Sequence, residues 1–203
     1  MKYIISERQY RLLTEEKDNS IVKLPGNKFM SNEALFNAIN NLSKQEKYIK
    51  ILGDLDLNYI DIESLGNIVH VSGNLNLYDA KLKSLGELKS VSGTLDLSSS
   101  TIESLGNLEY VGGDLVLYNT SIQSLGNLKK VEGDLDLRES DIESLGKLKY
   151  VGGSLSSYGS QIEFLEKLEY VGDMLDLHQT PASRKYSMED LIEMIDVRGG
   201  IYI

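Results

Sequence analysis

The chain has no cysteine, no tryptophan, two prolines, three phenylalanines and two histidines among 203 residues. Without cysteine there are no disulfides and no thiolate metal sites, and nothing calls for an oxidising compartment. His70 and His178 are the whole imidazole supply, so Ser/His, Cys/His and zinc arrangements have little material. Positive charge is also short. Twenty-one Lys and Arg stand against 31 Asp and Glu, a net charge of −10. Neutralising phosphates requires a basic surface, so nucleic acid is not expected as a partner. The opening "MKYIISERQYRLL" has Glu7 and Arg8 where a signal peptide needs an unbroken apolar region, and no later run is long enough to span a bilayer. A soluble cytoplasmic protein without membrane contact is expected. Hydrophobic residues at 41% and charged residues at 26% suit a folded globular chain rather than a disordered one.

What the chain does have is a period. Leu55, Leu75, Leu95, Leu115, Leu135, Leu155 and Leu175 form an unbroken column with a step of twenty. Two residues on run Leu57, Leu77, Leu97, Leu117 and Leu137, then Ser157, then Leu177. Further columns are Ile51 with Val71 through Val171, Leu65 through Leu165, Ile68 with Leu88 through Leu168, and Ile62 with Leu82 and Ile102 through Ile162. Self-similarity at a fixed step without insertions is the mark of a stacked repeat. Within each unit, G-x-L-x-L alternates with period two and predicts a strand. The three-residue spacings Ile62–Leu65–Ile68–Val71 fit a tight, 3₁₀-like arc to the next strand. Twenty residues is a crossover length, so successive strands are parallel, and the handedness rule makes the coil right-handed. Gly53, Gly73, Gly93, Gly113, Gly133 and Gly153 mark a corner, and the serines of S-L-G, from Ser64 to Ser144, bond to backbone to start the tight turn. A single coil buries too few side chains to offset the entropy of ordering it, so the unit must stack.

The run "LVLYNTSIQSLGNL" (Leu115–Leu128) resembles a leucine-rich repeat of the shortest class, and the added G-x before L-x-L resembles the receptor L-domain variant. The resemblance implies an α/β repeat protein: a right-handed parallel β-solenoid of leucine-rich-repeat type, binding other macromolecules, mostly proteins. Where that family carries asparagine, this chain has Ala80, Ser100, Thr120, Ser140, Ser160 and Thr180. The opening also resembles the start of short tailed-phage proteins, which implies a phage or bacterial origin.

Bare solenoid ends expose leucines and open edges, so helical caps are expected at both. Residues 1–50 form the N-terminal cap, with helices at Ser6–Glu16 and Ser31–Leu42 separated by Pro25 and Gly26. Six and a half repeats occupy 51–180, and 181–203 form a helix-strand cap. There Pro181 stops further coils, a helix covers 188–196, and Ile201 and Ile203 dock.

The outward strand positions are the candidate binding residues: Asp54, Asp56, Tyr78, Asp96, Asp114, Tyr118, Asp134, Asp136, Arg138, Tyr158 and Asp176. Seven aspartates and no Lys or Arg occupy the first two outward columns, while tyrosines border them on alternate coils. Like charges on neighbouring strands are unfavourable, and Tyr and Arg are typical interface anchors. One reading is an acidic platform for a basic protein partner. Another is that aspartate merely keeps an open sheet soluble. A cation among Asp114, Asp134 and Asp136 would find oxygen ligands but not calcium-loop spacing. The expectation is a non-catalytic protein-binding module, monomeric or weakly dimeric, with no cofactor, metal or catalytic residue. The alternatives are a self-assembling structural repeat and a carboxylate-dependent enzyme. Ser157 breaks its leucine column, which predicts either a bulged coil or a small void.

Overall fold

The computed structural model describes residues 21–26, 37–39, 41, 44, 47–165 and 167–203. It is a parallel β-solenoid. Among the described residues each regular coil contributes strands to two sheets. The first sheet contains β1 (Ile21–Pro25), β2 (Tyr48–Leu52), β4 (Ile68–Val71), β6 (Ser90–Val91), β8 (Tyr110–Val111), β10 (Lys130–Val131), β12 (Tyr150–Val151), β14 (Tyr170–Val171) and β16 (Asp196–Val197), in that order. The second contains β3 (Leu55–Asp56), β5 (Leu75–Asn76), β7 (Leu95–Asp96), β9 (Leu115–Val116), β11 (Leu135–Asp136), β13 (Leu155–Ser156), β15 (Leu175–Asp176) and β17 (Ile201–Tyr202). Leu55 pairs with Leu75, Leu95 with Leu115 and Leu155 with Leu175, all parallel, so the leucine column is a stack. The expectation of one strand per coil is corrected. The predicted arc ends in a second strand, whose valines point into the core opposite the leucines.

Between the two strands of a coil lies the glycine corner. A Cβ on Gly113 would sit 2.8 Å from the Gly93 carbonyl carbon and the Thr94 nitrogen of the preceding coil, so no side chain fits. On the third side, parallel bridges link Ser64 to Ser84, Ser84 to Ser104 and Ser124 to Ser144. The hydroxyls of Ser64, Ser84, Ser104, Ser124 and Ser144 accept the N–H two residues on at 3.0–3.1 Å, as the sequence predicts. The glycine receiving that cap is left-handed, as at Gly86 with φ +60°.

A second left-handed position follows each of β3, β5, β7, β9, β11, β13 and β15. Tyr59, Asp79, Ser99, Asn119, Glu139 and Gln179 have φ between +50° and +57°, and only Gly159 in this column is a glycine. Each is the third residue of a turn; except at Asn119 the next residue's N–H closes it, as in Ser100 to the Leu97 carbonyl at 3.1 Å, and after Asn119 the Thr120 hydroxyl donates to the Leu117 carbonyl at 2.9 Å.

The ends extend the sheets rather than simply capping them. β1 pairs with β2 in parallel, Leu24 opposite Ile51, with Val22 and Leu24 buried. Pro25 closes this outermost strand, where a missing donor is tolerated. Thus Pro25 and Gly26 finish a strand that the sequence reading did not expect. Residues 37–39 and 41 are helical, within the predicted second helix; the predicted helix at Ser6–Glu16 lies outside the described residues. At the other end, Pro181 does not stop the stack. Helices α1 (Ala182–Lys185) and α2 (Met188–Met194) form an insert, after which β16 pairs with β14 and β17 with β15. Ser187 and Asp190 make the capping box of α2, and Leu191 and Ile195 are buried. Lys185 reaches back over the Phe164 ring, 3.6 Å from its centroid, which gives the Ser-to-Phe change in that column a partner. Ile201 packs on the core as expected, but Ile203 is exposed.

Ser157 is fully buried, and β13 keeps its register with β11 and β15, so the coil is not bulged. Its hydroxyl donates to the Asp176 carbonyl at 2.7 Å, the same oxygen its own N–H reaches at 2.9 Å.

Candidate protein-binding face

The predicted site residues all fall along the outer side of the second sheet, because its strands turn the leucines in and the following residue out. The structure gives the seven aspartates a backbone task that the sequence alone does not disclose. In the corner column, Asp54 Oδ1 accepts the Asn74 N–H at 2.8 Å, and Asn74 Oδ1 accepts that of Thr94 at 2.9 Å. Asp114 serves the Asp134 N–H at 2.8 Å, and Asp134 serves that of Ser154 at 2.7 Å. Each side chain therefore caps the amide one coil further along. In the next column the bond is local. Asp56, Asp96, Asp136 and Asp176 each accept the N–H two residues on, at 3.2, 2.9, 3.1 and 3.0 Å. These Asx turns steer the chain into the left-handed position that follows. Asn76 does the same for Tyr78 at 3.0 Å, so the task needs a side-chain oxygen and not a charge.

The negative charge is partly answered on the same face. Arg138 grips Asp136 through Nε at 2.9 Å and Nη2 at 2.6 Å, which holds the guanidinium above its already high ordinary value, and it lies 5.9 Å from the Tyr118 ring centroid. His178 Nδ1 lies 2.8 Å from Asp176 Oδ1. Tyr78, Tyr118 and Tyr158 are exposed along the border, as expected. Two further tyrosines were missed. Tyr59, 64% exposed, meets Tyr78 edge-on at 5.5 Å, and Tyr202, 48% exposed, lies in β17 beside Asp176. Tyr59 sits one position past the tyrosine column, and Tyr202 is separated from the repeats by the insert. The face thus carries exposed tyrosines from its first coil to its last strand.

The outer side of the first sheet is different. Tyr150 and Tyr170 stack at 4.7 Å and 8°, Lys130 covers Tyr150 at 4.3 Å, and Lys130 pairs with Glu132 at 2.8 Å. These groups satisfy one another. Charges in the neighbouring column pair across coils, Lys129 with Glu109 at 2.7 Å and Lys149 with Glu169 at 2.6 Å. Such exposed pairs contribute little.

Nearer the N-terminal end of that sheet, β4 carries an extra residue. Ile49 faces Ile68 but Lys50 faces His70, leaving Val69 unmatched. A groove of about 430 Å³ opens there, and His70 Nδ1 lies 2.8 Å from Ser90 Oγ. Burial, and then the Lys50 ammonium, hold the His70 imidazole below its ordinary value, with Ser90 bonding in the opposite sense. Among the described residues no group of three or more His, Cys, Asp or Glu is arranged to hold a metal ion. Among them no helix is long and apolar enough to cross a membrane.

The fold and this face define a class: a repeat solenoid of parallel strands with a carboxylate-rich, tyrosine-lined side. No family model, curated protein or solved structure matches the chain.

Proposed function

We propose that the chain is a non-catalytic protein-binding module whose second sheet presents its outer face to a partner with a basic surface. The observation that carries this reading is the run of exposed tyrosines, Tyr59, Tyr78, Tyr118, Tyr158 and Tyr202, beside seven carboxylates that lack Lys or Arg in their columns. Tyrosine offers large contact area at low entropic cost, and a flat sheet of short strands holds it in fixed positions. The backbone task of the aspartates accounts for an oxygen in each place; it does not account for seven of those oxygens being charged where Asn74 and Asn76 serve equally well. The same reading takes the solenoid as right-handed and of leucine-rich-repeat type, supported by the unbroken leucine columns and the general handedness of parallel crossovers.

The test is affinity capture with wild-type chain and with Tyr78→Ser/Tyr118→Ser/Tyr158→Ser as paired baits, washed at low and high salt. A partner held by wild type alone, and released as salt rises because exposed charges are screened within about 10 Å at 0.1 M, supports the reading. Equal retention by both baits, or salt-independent retention, rejects it.

A further inference from the structure

We propose that the groove beside the β4 bulge binds a small organic anion, a phosphate or carboxylate head carried on an apolar body. The site lies on the first sheet, away from the tyrosine-lined face. Its walls divide by chemistry. Lys50 and Lys89 supply positive charge, Ile21, Val69 and the Tyr48 ring supply apolar surface, and His70 and Ser90 are hydrogen-bonded partners between them.

Three observations converge on an anion. First, the chain has a net charge of −10, and Lys129, Lys130, Lys149 and Lys185 each answer a carboxylate. Among the described residues neither Lys50 nor Lys89 has a carboxylate within 4.0 Å, and both line this groove. Second, the ladder itself brings the groups together. The regular twenty-residue register puts His70 level with Lys50 and Ser90, and Val69, left unmatched at the bulge, joins the wall. Elsewhere the coils repeat without such a bulge, and bulges commonly re-aim side chains at sites. Third, the outward column changes character here. Lys50, His70 and Ser90 occupy the column in which Lys130, Tyr150 and Tyr170 stack on one another further along. A head group between the two ammonium groups meets charge-assisted donors, with the hydroxyl and imidazole beside it. The apolar wall then selects for a body attached to that head.

The test is nuclear magnetic resonance of the ¹⁵N-labelled full chain at fixed ionic strength, titrated separately with phenyl phosphate, inorganic phosphate, benzoate and phenol. Saturable shifts at His70, Ser90 and Val69 are expected with phenyl phosphate or benzoate, which tells a phosphate head from a carboxylate one. Inorganic phosphate and phenol bind more weakly, since each lacks half of the chemistry. Lys50→Gln/Lys89→Gln weakens binding by about tenfold or more, the scale of losing one to two charge-assisted contacts. Lys149→Gln, on the same sheet but paired with Glu169, leaves it unchanged. Non-saturable shifts, or equal affinity in the double variant and wild type, overturn the site. Inorganic phosphate binding as tightly as phenyl phosphate overturns the role of the apolar wall.

Discussion

Ser157→Leu restores the one missing leucine in the second inward column, and the structure fixes what the change meets. The site is fully buried, the strand is in register with both neighbours, and Leu137 and Leu177 occupy the same position one coil before and after. Three added carbons at about 0.8 kcal/mol each contribute roughly 2.4 kcal/mol of burial. Fixing the leucine rotamer costs about 0.5–1 kcal/mol. Losing the hydroxyl's bond costs about 0.5–1 kcal/mol and not more, because the Asp176 carbonyl keeps the Ser157 N–H and is not left bare. The expected net gain is about 1 kcal/mol, or about 2–4 °C in melting temperature for a chain of this size. Urea melts followed by circular dichroism read it as a raised midpoint with an unchanged slope. Ser157→Ala, which removes the bond and fills nothing, should lose stability. If Ser157→Leu melts earlier than the parent, the coil has closed around the serine and the added carbons overpack it.

Other positions in the stack give equally direct tests. The Ser100 hydroxyl is buried without a partner, whereas Ser140 donates to the Leu137 carbonyl at 2.6 Å. Ser100→Ala should therefore stabilise by about 1 kcal/mol, and Ser140→Ala destabilise by about as much, in the same melts. Gln179 and Glu139 hold a left-handed backbone that costs a residue with a Cβ about 1–2 kcal/mol. Gln179→Gly and Glu139→Gly should each gain about 0.5–1 kcal/mol after the extra entropy of the unfolded glycine, and the two gains should add; a loss at either would mean its side chain is held by contacts worth more than the strain.

The leucine stack was legible because twenty-residue spacing without insertions leaves the buried positions in plain columns. The first sheet was not, because each regular coil gives it only two residues, such as Tyr110 and Val111, too few to display alternation. The final strands were hidden by the insert, which lengthens the step from Val171 to Val197 to 26 residues. Their signal was still present: "VRGGIYI" from Val197 to Ile203 repeats the valine, glycine corner and alternating apolar pattern of the coils. β1 likewise alternates in "IVKLPG", where the Pro-Gly pair drew the reading toward a break. At the candidate face, the aspartate columns and tyrosine border could be counted from sequence. Which oxygen caps which amide could not, because it depends on how one coil sits on the next. The His70–Ser90 contact depends on that stacking as well.

If the aspartates on the second sheet carry charge for a partner as well as oxygen for the fold, one variant separates the two. Replacing Asp54, Asp56, Asp96, Asp114, Asp134, Asp136 and Asp176 together by asparagine keeps the accepting oxygen at every cap, as Asn74 and Asn76 already do. Used beside wild type as bait in affinity capture, and melted in parallel, the sevenfold variant should fold as the parent does and lose the bound partner. A folded variant that retains the partner in full would contradict the account.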